Sequence, residues 1–260
     1  MGKDSPRDNA GKRVKSTLTL FTIIDALRDL RTAGVSQLAE ELDMPKSTVH
    51  VHLKTLEEEG YLVNESGKYR FSFRFLELGG ETRHQLDTYR VSRAEVDNLP
   101  LEIEEAAHFG VEERGQRVLL YSSARGDGVY DNSPDGYYTH LHWTAMGKAL
   151  LAELSDDRIG NIVDEHGLPE ATQQTITDRE QLFEELAEVR NQGYATEFDE
   201  HREGLGTIAA TLDSEKTEGG PASIGISGPT RRLQRKNADG ELIDAVQSAV
   251  DVVNLELEYY

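Results

Sequence analysis

The chain has no cysteine, which excludes disulfides, thiolate nucleophiles, iron–sulfur clusters and cysteine-ligated zinc. It has no apolar run near the roughly 18 residues that a membrane span requires. Its first residues, Met1-Gly2-Lys3-Asp4-Ser5-Pro6, lack the apolar stretch of a secretory signal. These absences lead to the expectation of a soluble, cytoplasmic protein with no membrane partner. Lysine is scarce too, at 9 residues against 19 arginines.

What is present is a chain of 260 residues, 37% of them hydrophobic, which at about 150 residues per domain makes roughly 1.7 and so suits two modest domains. The formal charge is −20, from 28 basic and 48 acidic residues. It is unevenly spread. Residues 1–79 hold 12 basic and 12 acidic side chains, whereas residues 80–260 hold 16 and 36. The N-terminal part therefore offers phosphate no net repulsion, and the acid surplus belongs to the remainder. Strong acidity with little lysine suits a salt-saturated cytoplasm, so a halophilic protein is expected.

Residues 1–13 are polar and read as a flexible arm. From Val14, apolar residues recur at three- and four-residue spacing through Leu18, Phe21, Ile24, Leu27 and Leu30, a helix ended by Gly34. Val35–Leu42 reads as a short second helix capped by Ser36, and Pro45 opens a third that stops at Gly60. Tyr61-Leu62-Val63 and Tyr69-Arg70-Phe71 then form a hairpin around Asn64–Lys68. Three helices and a hairpin make a winged helix-turn-helix over 14–79. A helical linker follows over 80–92, and an α+β sensor-like domain over 93–260. In that domain helices are expected at 93–107, 145–154, 155–166, 177–193 and 239–257. Strands are expected at 109–113, 117–123, 194–198, 206–212 and 222–227, with an irregular loop at 125–138. The helix at 177 opens with a capping-box spacing, Thr177-Asp178-Arg179-Glu180.

The third helix carries the clearest chemistry. Val49, Leu53 and Leu56 share its apolar face, which turns Lys46, Ser47, His50 and Lys54 outward. Short polar and basic side chains on such a helix suit base edges and phosphates in a DNA major groove. Thr48 and His52 join them as discriminating residues, and Lys68 and Arg70 of the wing are expected to hold phosphate. His50 and His52 stand about 200° apart around the helix and do not share a metal ion.

Several stretches imitate enzyme signatures. Gly147-Lys148 is followed by Ala149, and His142 stands where a phosphate loop begins with glycine. Gly204-Leu205-Gly206 leads into a strand, where a dinucleotide fingerprint needs a helix. Gly225-Ile226-Ser227-Gly228-Pro229 ends in proline, where a nucleophile elbow has glycine. Asp199-Glu200-His201 reads as surface charge. Its alternatives are a metal ligand or a proton relay, and His140 and His142, placed on one strand face, are a second metal-like arrangement. No catalytic triad emerges, and neither an enzyme, a cofactor nor a metal centre is expected.

Val14–Arg70, with Met44-Pro45-Lys46-Ser47-Thr48-Val49-His50 at its centre, resembles the DNA-binding domain of IclR-family transcriptional regulators. Four later blocks resemble the same family in order and spacing: Thr144–Ala152, Gly193–Ala195, Gly204–Ala210 and Ser227–Pro229. With its acidic composition, the chain resembles a haloarchaeal-type member. The resemblance implies a winged helix, a helical linker and a GAF-like effector-binding domain. It also implies a homodimer or tetramer on a double-stranded DNA operator, controlling a catabolic operon. One departure is Val51, where members usually carry arginine. By the same resemblance the effector pocket lies between the helix start Ala145-Met146 and the sheet, and draws on Glu197, Leu205, Thr207, Gly225 and Ser227. Gly225 and Glu197 depart from acid-binding members. An ionised Glu197 would repel a bare carboxylate, so a hydroxylated sugar acid or organic acid is expected. Trp143 either lines the pocket or fills core. The alternatives are a constitutive DNA binder with a degenerate sensor domain and a DNA-tethered GAF-type enzyme.

Overall fold

The computed structural model describes residues 13–125, 130–217 and 219–259. The expected arm, apart from Arg13, and positions 126–129 of the expected loop lie outside the described residues. The chain divides into two compact units between Glu81 and Thr82.

In the first unit, α1 (Lys15–Leu30), α2 (Val35–Glu41) and α3 (Lys46–Glu58) pack with three short strands, β1 (Ala33–Gly34), β2 (Leu62–Glu65) and β3 (Lys68–Phe71). The strands form an antiparallel sheet in the order β1-β3-β2. Ile23, Leu27, Leu38, Val49, Leu53, Leu56, Leu62 and Tyr69 form its core. The turn of the wing needs left-handed backbone at both Ser66 (φ 55°) and Gly67 (φ 87°), and Gly67 N–H donates to Asn64 Oδ1 at 2.9 Å. Two local readings change. Helix α1 stops at Leu30, and Gly34 is strand and N-cap of α2, passing so close to Gly67 that a Cβ would sit 3.2 Å from its carbonyl oxygen. Ser36 therefore caps nothing. Leu18 and Phe21 stay exposed on α1.

The residues expected as linker belong to two helices, α4 (Arg74–His84) and α5 (Asp87–Ile103). Helix α5 starts well before residue 93 because Tyr89 and Val91 already belong to the second unit's core.

The second unit is built on a six-stranded antiparallel sheet in the order β6-β5-β4-β9-β8-β7. Its strands are β4 (Ala106–Glu113), β5 (Gln116–Ser123), β6 (Tyr137–His140), β7 (Ala195–Phe198), β8 (Leu205–Thr211) and β9 (Ala222–Pro229). Helices α5 and α10 (Glu241–Leu257) cover one face, where Val96, Leu99, Phe109, Ile208, Ile224, Ile226, Val246 and Val253 meet. Helices α6 (Ala145–Ala152), α7 (Asp156–His166) and α8 (Arg179–Gln192) cover the other, through Met146, Leu150, Ile159, Leu182 and Leu186 against Ala195 and Ala209. Helix α9 (Thr230–Lys236) follows β9. This is the expected α+β class. Strand β6 begins inside the expected loop and helix α9 lies in a stretch given no element from sequence, both being too short for periodicity to register. Asp178, not Thr177, caps α8, accepting from Gln181 N–H at 2.9 Å.

Candidate functional site

Helix α3 buries Val49, Leu53 and Leu56 and leaves Lys46, Ser47, His50 and Lys54 exposed, while Thr48 and His52 are half-buried. Val51 is 62% exposed, an apolar side chain on the presented face. Lys54 already donates to Glu57 Oε2 at 3.2 Å, and that bond raises its pKa. Arg70 is likewise engaged, donating through Nε and Nη2 to Glu65 Oε1 at 2.8 and 2.6 Å. Lys68 is exposed at the wing. Phosphate contact by Lys54 or Arg70 thus requires exchange with an acidic neighbour.

In the second unit, the register aligns three of the expected effector residues. Glu197 on β7 pairs with Thr207 on β8, which pairs with Ser227 on β9. Directly opposed residues share a face, so the three form a row across the sheet beneath the start of α6. All are buried. Thr207 Oγ1 accepts from Ala145 N–H at 3.2 Å and donates to Glu197 Oε1 at 3.0 Å. Glu197 Oε2 accepts from Glu200 N–H at 3.0 Å. Thr144 caps α6 by accepting from Gly147 N–H at 3.0 Å.

The next row of that face runs Ala195, Ala209, Gly225, His108, Ser122. A Cβ on Gly225 would lie 2.8 Å from Met146 Cγ and 3.0 Å from Ala209 Cβ. A glycine at 225 thus leaves room for Met146. Leu205 is buried at the far end of β8, opposite Pro229.

Two further polar networks adjoin this row. His108 Nε2 lies 2.7 Å from Ser227 Oγ, and its Nδ1 lies 2.9 Å from Ser122 Oγ. Ser227 Oγ also accepts from Asp131 N–H at 2.9 Å. Asp131 pairs with Arg117, Nη2 to Oδ2 at 3.2 Å, and Arg117 Nε donates to Thr139 Oγ1 at 2.9 Å. In the second network, buried Lys148 bridges Glu200 at 2.7 Å and Glu185 at 3.0 Å.

Burial sets the charges. It pushes the His108 imidazole down to about 4 despite nearby Asp131, leaving the ring neutral. Burial opposes ionisation of Asp131, but Arg117 and His108 hold its carboxyl well below the usual range. Glu197 goes the other way: loss of water pushes it up to about 8, against the hydrogen bonds from Glu200 and Thr207. At neutral pH Glu197 is therefore mostly protonated. The repulsion of a carboxylate expected from its sequence identity is absent.

Other expectations need correction. His140 ends β6 while His142 lies in the 3₁₀ turn Leu141–Trp143, its Nε2 3.0 Å from the Pro169 carbonyl oxygen, so they share no strand face. Among the described residues no group of three or more His, Asp or Glu is arranged to hold a metal. Asp199-Glu200-His201 is not surface charge: Glu200 neutralises Lys148, Asp199 accepts from Thr230 Oγ1 at 2.9 Å, and burial lowers the His201 pKa. Trp143 is half-buried, stacked on His201 and donating to the Pro169 carbonyl oxygen at 2.8 Å. His108, Arg117 and Asp131 carry no motif in the sequence, and Lys148 stands there only in a rejected phosphate-loop match. The one local signal was polarity inside apolar runs, as in Ala106-Ala107-His108-Phe109.

Comparison with known proteins agrees with this geometry. Residues 81–254 match the family model of the bacterial transcriptional regulator IclR C-terminal domain, and residues 20–66 match the IclR helix-turn-helix domain. The chain is 29% identical over 262 residues to ArcR of Halobacterium salinarum, described as a probable HTH-type transcriptional regulator, covering 99% of both chains. It is also 29% identical to the HTH-type transcriptional regulator KdgR of Escherichia coli, covering 97% of this chain and 96% of that one. A solved IclR homologue from Microbacterium hydrocarbonoxydans, complexed with 4-hydroxybenzoate, superposes with a TM-score of 0.80 at 19% identity, covering 94% of this chain and 100% of that one. The chain belongs to the IclR family. It is a DNA-binding transcriptional regulator with a C-terminal effector domain, and not an enzyme. No helix among the described residues is long and apolar enough to cross a membrane.

Proposed function

We infer that this regulator controls a catabolic operon in a halophilic cytoplasm, acting as a homodimer or tetramer whose operator affinity is set by a small hydroxylated acid. Ser47, Thr48, His50 and His52 read base edges, with Lys46, Lys54, Lys68 and Arg70 on phosphates. Exposed Val51 suits the methyl group of thymine, which removes the need for arginine there. The effector sits between the start of α6, at Ala145 and Met146, and the row Glu197–Thr207–Ser227. That row carries the proposal: a protonated carboxyl and two hydroxyls, buried beside a helix N-terminus, suit an acid that also bears hydroxyls. The 4-hydroxybenzoate held by a related regulator is a ligand of that kind.

The test is a thermal-shift screen of sugar acids and hydroxylated organic acids, followed by operator titration with each hit. Coupling of about 1–3 kcal/mol corresponds to a five- to roughly 150-fold change in operator affinity, equal in both directions. Thr207→Val with Ser227→Ala removes that change and leaves ligand-free DNA binding intact. If no acid shifts both measurements, the sensor is degenerate and the regulator constitutive.

A further inference from the structure

We propose that Arg117 receives the carboxylate of the effector, and that Asp131 is an internal competitor occupying that position in its absence. The inference rests on the effector-site reading above and deepens it.

Arg117 is 1% exposed, so water does not solvate its cation. A guanidinium has five N–H donors in a planar fork that fits a carboxylate through two parallel bonds. Among the described residues its acceptors are Thr139 Oγ1 at 2.9 Å, Asp131 Oδ2 at 3.2 Å and, for Nη1, the thioether of Met146 at 3.8 Å. Sulfur is a weak acceptor. Asp131 uses only one oxygen on Arg117, because Oδ1 accepts from Ser133 N–H at 3.2 Å and Ser133 Oγ at 2.6 Å. The strongest anion binder of the site is thus held monodentately, with one arm of its fork on sulfur.

Asp131 belongs to neither helix nor strand, yet it is 1% exposed. It reaches the site twice, through its carboxylate on Arg117 and its backbone N–H on Ser227 Oγ. A hydroxylated carboxylic acid offers both functions at once. Its carboxylate takes both arms of Arg117, and its hydroxyl takes Ser227. Met146, which touches Arg117, is also the α6 residue packed over Gly225, so Arg117 is continuous with the row of hydroxyls. A purely structural ion pair makes a different prediction, since its pocket has no place for a free carboxylate.

The experiment uses the full chain in high salt, with sodium acetate as probe and equimolar sodium chloride as control. Acetate should raise the thermal midpoint of Asp131→Ala by roughly 3–5 °C above chloride, and leave wild type and Asp131→Ala/Arg117→Met unchanged. Equal midpoints in acetate and chloride for a folded Asp131→Ala overturn the proposal. The near-isosteric Asp131→Asn provides a second reading that survives if the alanine variant does not fold. Any acid that shifts operator affinity should bind Asp131→Asn about tenfold tighter than wild type, while its neutral amide gains nothing; an acid with unchanged affinity also overturns the proposal. If acetate acts on Asp131→Ala but no acid affects operator binding, the effector reading falls while the carboxylate preference of Arg117 stands.

Discussion

Replacing Glu197 by glutamine should make the second unit more stable at alkaline pH, although it removes an acid from a hydrogen-bonded position. Glu197 is 1% exposed, and burial pushes its carboxyl from 4.5 up to about 8. In the unfolded chain the group ionises near 4.5, whereas in the folded chain it keeps its proton to about 8. Below the lower value both states are protonated and the group contributes no pH dependence. Between the two values the unfolded chain binds fewer protons, so stability falls as pH rises, by about 1.4 kcal/mol per unit. Above about 8 both states are ionised and the loss levels off at about 5 kcal/mol. Glutamine has the same shape and does not titrate. Its amide nitrogen can donate to Thr207 Oγ1 while its oxygen accepts from Glu200 N–H, the two atoms that Glu197 meets now. Denaturant unfolding of wild type and Glu197→Gln at fixed high salt, from pH 5 to 9, reads the difference. The curves should nearly meet at pH 5 and part until pH 8, with the variant then more stable by about 3–5 kcal/mol. His108 and the other buried histidines titrate in both proteins and cancel. Parallel curves, or a wild type that gains on the variant as pH rises, would refute the assignment of a neutral Glu197.

His50→Ala should cost about 1–3 kcal/mol on operator and little on random DNA, whereas Lys68→Ala should weaken both alike and lower the salt slope by about one; equal losses for His50→Ala on both DNAs contradict its role in base recognition. Gly225→Ala should destabilise the second unit by about 1–3 kcal/mol through overpacking, because the new Cβ falls 2.8 Å from Met146 Cγ, and a shorter side chain at 146 should restore part of it in denaturant titrations. The thermal midpoint should climb as salt rises toward the molar range, where the Debye length is about 3 Å and the repulsion within a chain of charge −20 is screened. A midpoint independent of salt would argue against the halophilic reading.

The first unit was largely legible in the sequence because its determinants are local. Spacing of Val49, Leu53 and Leu56 fixes which face of α3 is presented, and Asn64–Lys68 is a turn by composition alone. Glu197, Thr207 and Ser227 were within reach only through the family resemblance; their strand-like segments showed that one sheet could bring them together. What sequence left open is whatever depends on register and burial. Whether Glu197 is charged follows from its removal from water. That Met146 packs against Gly225 is visible only once α6 lies over the sheet. His108 and Arg117 share a face only because β4 pairs with β5 and β9 in one particular register. Asp131 reads as an unremarkable loop residue, and its buried bond to Arg117 exists only once the chain returns over the sheet. Hydrophobic spacing is written residue by residue, whereas a pKa or a pairing between distant segments is a property of the surroundings that the fold assembles.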